Sequence, residues 1–344
     1  VHADGGGERI VPVPGPGTIG THAAGVTLPA EPFVAASDGV LSFVYSEVGS
    51  APSVHVHELA EERTEQVLAP AFALPGILTE RRWVTSDDGV RLPVNVVRRA
   101  DLDTTRPHPT LIYAYGGFDV VVWETCAARR ILPFVLAGGV YVVPHLRAGG
   151  EFGRSWWEAG RFERRQRVYD DLYAVAGELI ASGLTTAPQL GVAGESNGGI
   201  LAAVAIAQRP ELFGAAFVGV PLSDLLRYKR DPITYVCANE FGDPDVPAEA
   251  AWLVRYSPYH NVRDGVRYPP VLVMAGAHDI RAPAWHARKL AARLQEATED
   301  AGGGPILLEV IADAGHGAGQ TVEDEIATAA RWVGFVMRHL GCSP

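Results

Sequence analysis

Sulfur is scarce in this chain of 344 residues, which has three cysteines and two methionines. Cys126, Cys237 and Cys342 are scattered, odd in number and lack CxxC spacing, which excludes a disulfide framework or a structural zinc site. Reduced thiols are expected. Positive charge is also in deficit, with 29 Lys and Arg against 40 Asp and Glu and a formal charge of -11. A phosphate backbone or an anionic membrane surface is therefore excluded as a general partner. No apolar run approaches the ~20 residues of a membrane span. The opening VHADGGGERI lacks the basic and then apolar order of a signal peptide. The chain also lacks HExxH, and no GxGxxG stands between a strand and a helix, so neither a metal nor a nucleotide cofactor is expected. A cytoplasmic location is the expectation that follows.

Hydrophobic residues, at 47%, and glycine, at 38 positions, are plentiful, as in ordinary globular chains. Up to Pro75 the pattern is one of short β-like runs, Arg9 to Val13, Val40 to Ser46 and Ser53 to Glu58, separated by Gly, Pro and Ser clusters. Too few strands are present to bury two sheet faces, so this piece needs a cover. From Ile77 a hairpin is predicted over Arg82 to Thr85 and Val90 to Arg98, turning at Asp88-Gly89. Apolar strands then alternate with helical patterns. The strands are 110–115, 139–146, 190–194, 215–220, 271–275 and 306–311, and the helices 127–136, 168–182, 198–208, 284–297 and 322–340. Continuous Val, Ile and Leu runs joined by helices imply an α/β fold, a mostly parallel doubly wound sheet covered on both faces. The domains expected are 1–78, all β, and 79–344, α/β.

Ligands in such sheets sit beyond the carboxyl ends of the strands. Gly194-Glu195-Ser196-Asn197-Gly198 lies between a strand and a helix and fits G-x-S-x-G, a turn that projects a serine hydroxyl and leaves no room for flanking side chains. A serine needs a base to take its proton and a carboxylate to orient that base. Asp279 and His316 follow later strands, 83 positions after Ser196 and 37 after Asp279, in the order Ser, Asp, His. His278 adjoins the candidate acid, and His286 falls within a helical pattern that suits packing.

YAYGGF (113–118), LRAGGEFG (146–153), AGESNGGILAAVAIAQRPELFGA (193–215), YSPYHNV (256–262), AHDIRAPAWHARKLAARLQ (277–295) and AGHGAG (314–319) resemble the catalytic domain of the prolyl oligopeptidase family of serine peptidases. The likeness runs in order from about Thr79 to Leu340. It implies an α/β-hydrolase fold and hydrolysis of short peptides through an acyl-enzyme, with Ser196 as nucleophile, His316 as base and Asp279 as acid. It further implies an oxyanion hole from the backbone N–H of Asn197 and the hydroxyl of Tyr115. By the same resemblance a buried Arg281 guanidinium holds a substrate carbonyl, and Phe118 forms an aromatic wall of the P1 pocket.

Where proline-specific members carry a stacking Trp and then a Tyr, an ungapped alignment of residues 224–242 puts Cys237 and Phe241, and Ala282 stands where a Val is frequent. A P1 preference relaxed from proline is expected unless Trp252, Tyr235 or another aromatic fills the space. Residues 1–78 resemble the last part of the family's β-propeller, so two arrangements are open: a fragment that pairs with the remainder of a propeller from the same protein, or a variant whose cap is a vestigial remnant of one. An esterase, amidase or acyl-transfer enzyme uses the same triad. A catalytically silent binding module is the reading of another class.

Overall fold

The computed structural model describes residues 10–15, 17–19, 34–122, 130–231, 233–299, 301–317 and 320–343. Cys126, Arg9 and the first part of the helix expected at 127–136 lie outside the described residues. Five strands form an N-terminal sheet: β1 (Thr18–Ile19), β2 (Val34–Ser37), β3 (Val40–Glu47), β4 (Ser50–Glu58) and β5 (Arg63–Leu68). All their pairings are antiparallel, with β1 and β2 on one side of β3, and β4 then β5 on the other. Ile10–Val13 is not a strand.

The second sheet has eight strands: β6 (Ile77–Thr85), β7 (Arg91–Arg99), β8 (Thr110–Tyr113), β9 (Val140–Pro144), β10 (Leu190–Glu195), β11 (Ala215–Gly219), β12 (Val271–Gly276) and β13 (Ile306–Ile311). Their order is β13-β12-β11-β10-β8-β9-β7-β6, parallel from β13 to β9 and antiparallel at β7 and β6. This is the topology of an α/β-hydrolase sheet. The hairpin is longer than expected, because β6 pairs with β7 along its whole length from Ile77. Its turn does use Gly89, at φ 84, whose N–H donates to the Ser86 carbonyl.

The helices are α1 (Leu132–Leu136), α2 (Arg154–Glu158), α3 (Gln166–Ala181), α4 (Asn197–Gln208), α5 (Ala238–Phe241), α6 (Pro247–Tyr256), α7 (Pro258–Asn261), α8 (Ala284–Thr298) and α9 (Val322–Leu340). One face of the sheet, with Ile112, Val192, Val218 and Val273, is buried under Leu172 and Val175 of α3, Ile200 and Val204 of α4, and Leu290 of α8. The other face, with Leu111, Ala193, Phe217 and Leu272, is buried under Phe134 of α1 and Trp332 and Val336 of α9. Two-sided burial is why these strands read as continuous apolar runs and not as alternations. The last helix starts at a capping box made by Thr321 and Asp324 and stops at Gly341, φ 74, so both its ends are written in local chemistry.

The chain runs from β8 outward to β9 and then crosses to β10 on the opposite side of β8. The reversal leaves a crevice beyond the carboxyl ends of β8 and β10. Tyr115 follows the first of these strands and Ser196 the second.

Candidate active site

Ser196 stands between β10 and α4 at φ 58 and ψ -119, a conformation that side-chain-bearing residues rarely adopt. Such strain, costing on the order of 1–3 kcal/mol, persists only where surroundings fix it. Here the Ser196 N–H donates to the Gly219 carbonyl at 2.9 Å, tying the turn to β11. Close approach dictates the glycines. A Cβ on Gly194 would lie 2.3 Å from the Gly198 carbonyl oxygen, and one on Gly198 would lie 2.4 Å from the Ala114 oxygen. Gly199, outside the five-residue motif, is equally forced, with the Gly219 oxygen 2.2 Å from its would-be Cβ.

His316, in the loop after β13, approaches the turn with Nε2 3.0 Å from Ser196 Oγ, and its Nδ1 is 2.6 Å from Asp279 Oδ2. With Nδ1–H donating to the carboxylate, Nε2 is left with a lone pair aimed at the serine hydroxyl. Asp279 is buried, and its other oxygen, Oδ1, accepts the backbone N–H groups of Arg281 and Ala282 at 2.8 Å each. The three residues picked from the sequence are thus in contact in the required sequence.

Tyr115 is buried, with its hydroxyl close enough to the Ser196 side chain to feel it electrostatically. Burial raises its phenol above the ordinary value despite that proximity and the nearby Arg281 charge, so it keeps its proton and remains a donor. The Asn197 side chain does not face this space: Nδ2 donates to the Tyr115 carbonyl and Oδ1 accepts from Arg165 at 2.6 Å. Only its backbone N–H, at the start of α4, is available to an incoming oxygen.

Phe118, itself at φ 58, meets the edge of Phe241 with ring centroids 5.6 Å apart. Cys237 ends a short 3-10 turn, Thr234–Cys237, that leads directly into α5, and it is buried in the same core as Phe241 and Ala282. Burial pushes its thiol up to about 12, so it stays protonated and unreactive. Tyr235 is 61% exposed. Trp252 donates its Nε1–H to the Phe241 carbonyl at 2.8 Å.

Arg281 departs from the expectation of a buried guanidinium, because it is exposed. It lies in the turn between β12 and α8, and its positive charge still acts on Tyr115 and Cys237. His286 is fully buried on α8, stacked 3.6 Å from Trp285, in a packing role. Among the described residues no three His, Cys, Asp or Glu side chains group in a way that could hold a metal ion, and no helix is long and apolar enough to cross a membrane.

A buried ion pair behind the serine went unread in the sequence. Arg165 and Glu240, 0% and 1% exposed on their side chains, meet at 2.7 Å. Each comes from a run with no periodicity, and only the fold brings them together.

The profile of the prolyl oligopeptidase family matches residues 127–343. This chain belongs to that family. It is 40% identical to the uncharacterized peptidase y4nA of Sinorhizobium fredii over 257 residues, 74% of this chain and 35% of that protein. It is 29% identical to the prolyl endopeptidase of Elizabethkingia miricola over 336 residues, 97% of this chain and 46% of that one. A solved structure from a study of two prolyl endopeptidases, 34% identical, superposes with a TM-score of 0.86 over 98% of this chain and 48% of its own. The chain therefore spans about half, or less, of the length of these prolyl oligopeptidase relatives.

Proposed function

We propose that this chain is the catalytic part of a serine peptidase that hydrolyses short peptides through an acyl-enzyme on Ser196. The observation that carries the reading is the pair of contacts at His316, 3.0 Å to Ser196 Oγ and 2.6 Å to Asp279. In this mechanism Oγ bonds to the scissile carbonyl carbon while its proton passes to His316 Nε2. Asp279 stabilises the imidazolium through Nδ1–H. The carbonyl oxygen, now anionic, accepts from the Asn197 backbone N–H and the Tyr115 hydroxyl. Collapse breaks the C–N bond, and the departing amine takes the proton from His316. Water then repeats the sequence on the acyl ester, releasing the acid and restoring Ser196.

The side chain before the scissile bond enters beside Phe118, Phe241, Cys237 and Ala282, and the exposed Arg281 meets a backbone carbonyl of the substrate. The missing indole makes this pocket less selective for proline. Residues 1–78 belong to a covering domain of propeller type and 79–344 to the hydrolase. What supports this division is the change from one sheet to the other between Leu68 and Ile77.

A fluorophosphonate probe followed by intact mass tests the reading. The wild-type chain is expected to gain one probe mass, and Ser196→Ala to gain none with an unchanged melting temperature. Labelling that persists in Ser196→Ala removes the serine from its role. A wild-type chain that never labels favours the binding-module reading.

A further inference from the structure

Two parts of the proposed site, the Asn197 oxyanion donor and the Cys237–Phe241 side of the P1 wall, come from segments about 40 residues apart in sequence. One buried side chain touches both. Arg165, just before α3, donates Nη2 to Asn197 Oδ1 at 2.6 Å and Nη1 to Glu240 Oε1 at 2.7 Å. Beyond Asn197 the chain of bonds runs to the Tyr115 carbonyl. Beyond Glu240 it runs from Oε2 to the indole N–H of Trp157 at 2.8 Å. The guanidinium also lies over the ring of Phe241, 5.0 Å from its centroid.

We propose that Arg165 is a positioning residue, a strut that fixes the Asn197–Tyr115 donor pair against the α5 segment carrying Cys237 and Phe241. The proposal rests on the serine-peptidase reading above. Asn197 shows why a strut matters. Its side chain grips the Tyr115 carbonyl, so the two residues whose N–H and O–H meet the oxyanion are clamped to one another. Arg165 supplies the fork that holds the clamp, since a planar guanidinium can serve two acceptors at a fixed angle where an ammonium cannot. Glu240 neutralises the charge and allows it to be buried at all. A donor displaced by a fraction of an ångström still binds substrate but no longer meets the charge that develops in the transition state.

The experiment compares wild type, the double variant Arg165→Met/Glu240→Gln and the single variant Asn197→Ala. The double variant removes both charges together, leaving no unpaired ion in the core, and the amide oxygen that replaces the Glu240 carboxylate remains an acceptor for Trp157. Asn197→Ala cuts the strut at its other end without touching the ion pair. Three quantities are measured: kcat and KM on a peptide anilide, the Ki of a peptidyl aldehyde, and the Ki of the corresponding peptidyl alcohol. The aldehyde adds to Ser196 Oγ, with the serine proton passing to His316 and the carbonyl oxygen becoming the anion. The alcohol makes the same side-chain contacts with no oxyanion.

The expected result is a fall in kcat of about 10- to 100-fold in either variant, with KM and the alcohol's Ki within about threefold of wild type. The aldehyde's Ki should weaken by the same factor as kcat falls. Combining all three substitutions should lower kcat no further than the larger of the two effects, because both cut one chain of contacts. A wild-type kcat in both variants overturns the proposal. So does a loss in which aldehyde and alcohol weaken equally, since that is damage to binding or packing. If the double variant fails to fold, Asn197→Ala decides alone on the same criteria. A wild-type enzyme without hydrolysis or Ser196 labelling sinks the function above, and does so before the strut is tested.

Discussion

In the N-terminal sheet the buried positions of β3 and β4 mix Phe43, Tyr45 and Ala51 with Ser46, Ser50, Ser53, His55 and His57, whereas β9, β11 and β12 bury Val, Phe, Leu, Met, Ala and little else that is polar. The first sheet satisfies its polar side chains locally: Ser53 bonds His55 at 2.9 Å and His57 bonds Thr64 at 2.9 Å. The parallel strands of the second keep their buried polar groups for the strand ends, where Tyr115, Ser196 and Asp279 stand, while Asn95, buried within antiparallel β7, bonds His145 at 2.8 Å. A sheet covered by helices on both faces has no use for hydroxyls and imidazoles in its middle, and so its chemistry concentrates at one edge. The two sheets meet at the turn between β3 and β4, where Val48 packs into the core under the hydrolase sheet beside Leu74 and Ile77.

If that division is sound, the largest effects on rate should come from the strand ends of the second sheet and none from the first. His316→Ala is expected to lower kcat by about 10⁴-fold or more while leaving the melting temperature within a degree or two, because triad members act as a unit. Phe43→Ala, by contrast, should leave kcat unchanged at a temperature where the protein is folded. Steady-state kinetics on one peptide anilide checks both. A His316 variant within tenfold of wild type would place the base elsewhere.

Stability should divide the other way. Phe217 is 1% exposed and stacks on Trp332 at 4.7 Å under two-sided cover, so Phe217→Ala should cost about 3–5 kcal/mol. Phe43, stacked on His55 at 5.4 Å within a five-stranded sheet, lies outside both large apolar cores. Its truncation should cost about 3 kcal/mol or less, since sites that can collapse lose less. Denaturant titrations with equal m-values measure the difference, and equal costs would mean that the two sheets share one core.

Each region also buries a histidine whose affinity for protons is lowered by burial, His55 on β4 in the first and His286 on α8 in the second, the latter lowered to about 3. The unfolded chain, with an ordinary imidazole near 6.5, binds more protons than the folded one between these values. Stability is thus complete above about pH 6.5 and is lost as pH falls, at about 1.4 kcal/mol per pH unit. For His286 this amounts to about 2 kcal/mol by pH 5. His286→Asn keeps an acceptor for the Asp224 N–H, now bonded to Nδ1, and should remove most of that slope between pH 6.5 and 5. Urea midpoints across this range supply the test; an unchanged slope would show that the imidazole is already protonated in the core.

The legibility of the sequence follows the same division. Strands β10 to β13 and helices α3, α4, α8 and α9 were readable to within a residue or two because both faces, or one whole stripe, are apolar. Ser196, Asp279 and His316 were readable because each follows such a strand. β1, β2 and β5 were not, since an exposed edge such as RTEQVL carries no period that burial would impose. Nor were α5 to α7, which are short and held by tertiary bonds such as that of Trp252 to the Phe241 carbonyl. The Arg165–Glu240 pair was invisible for a further reason: a buried charge looks like a surface charge until its partner is known.

The smallest expected effect tests the segment that blurs the comparison, the irregular stretch from Tyr228 to Gly242, which lies in the second region but is as aperiodic as the first. In the function proposed above, the P1 side chain meets the edge of the Phe118–Phe241 pair, and Cys237 sets a thiol where proline-specific members of the family carry a stacking indole. That stacking contributes about 1 kcal/mol beyond area burial, roughly a fivefold preference. Wild type should therefore cut peptides with Phe or Ala before the scissile bond at least as well as those with Pro. Cys237→Trp should raise the ratio of kcat/KM for Pro over Phe by about fivefold, since the indole adds a face for the ring and takes volume from a larger side chain. The measurement is kcat/KM on otherwise identical peptides with Pro, Ala, Phe and Arg at P1, with melting temperatures recorded for both proteins, since overpacking would lower every substrate alike. A wild-type preference for Pro that Cys237→Trp leaves unchanged would mean that the Phe118–Phe241 pair alone forms the specific wall, and that position 237 packs the core behind it.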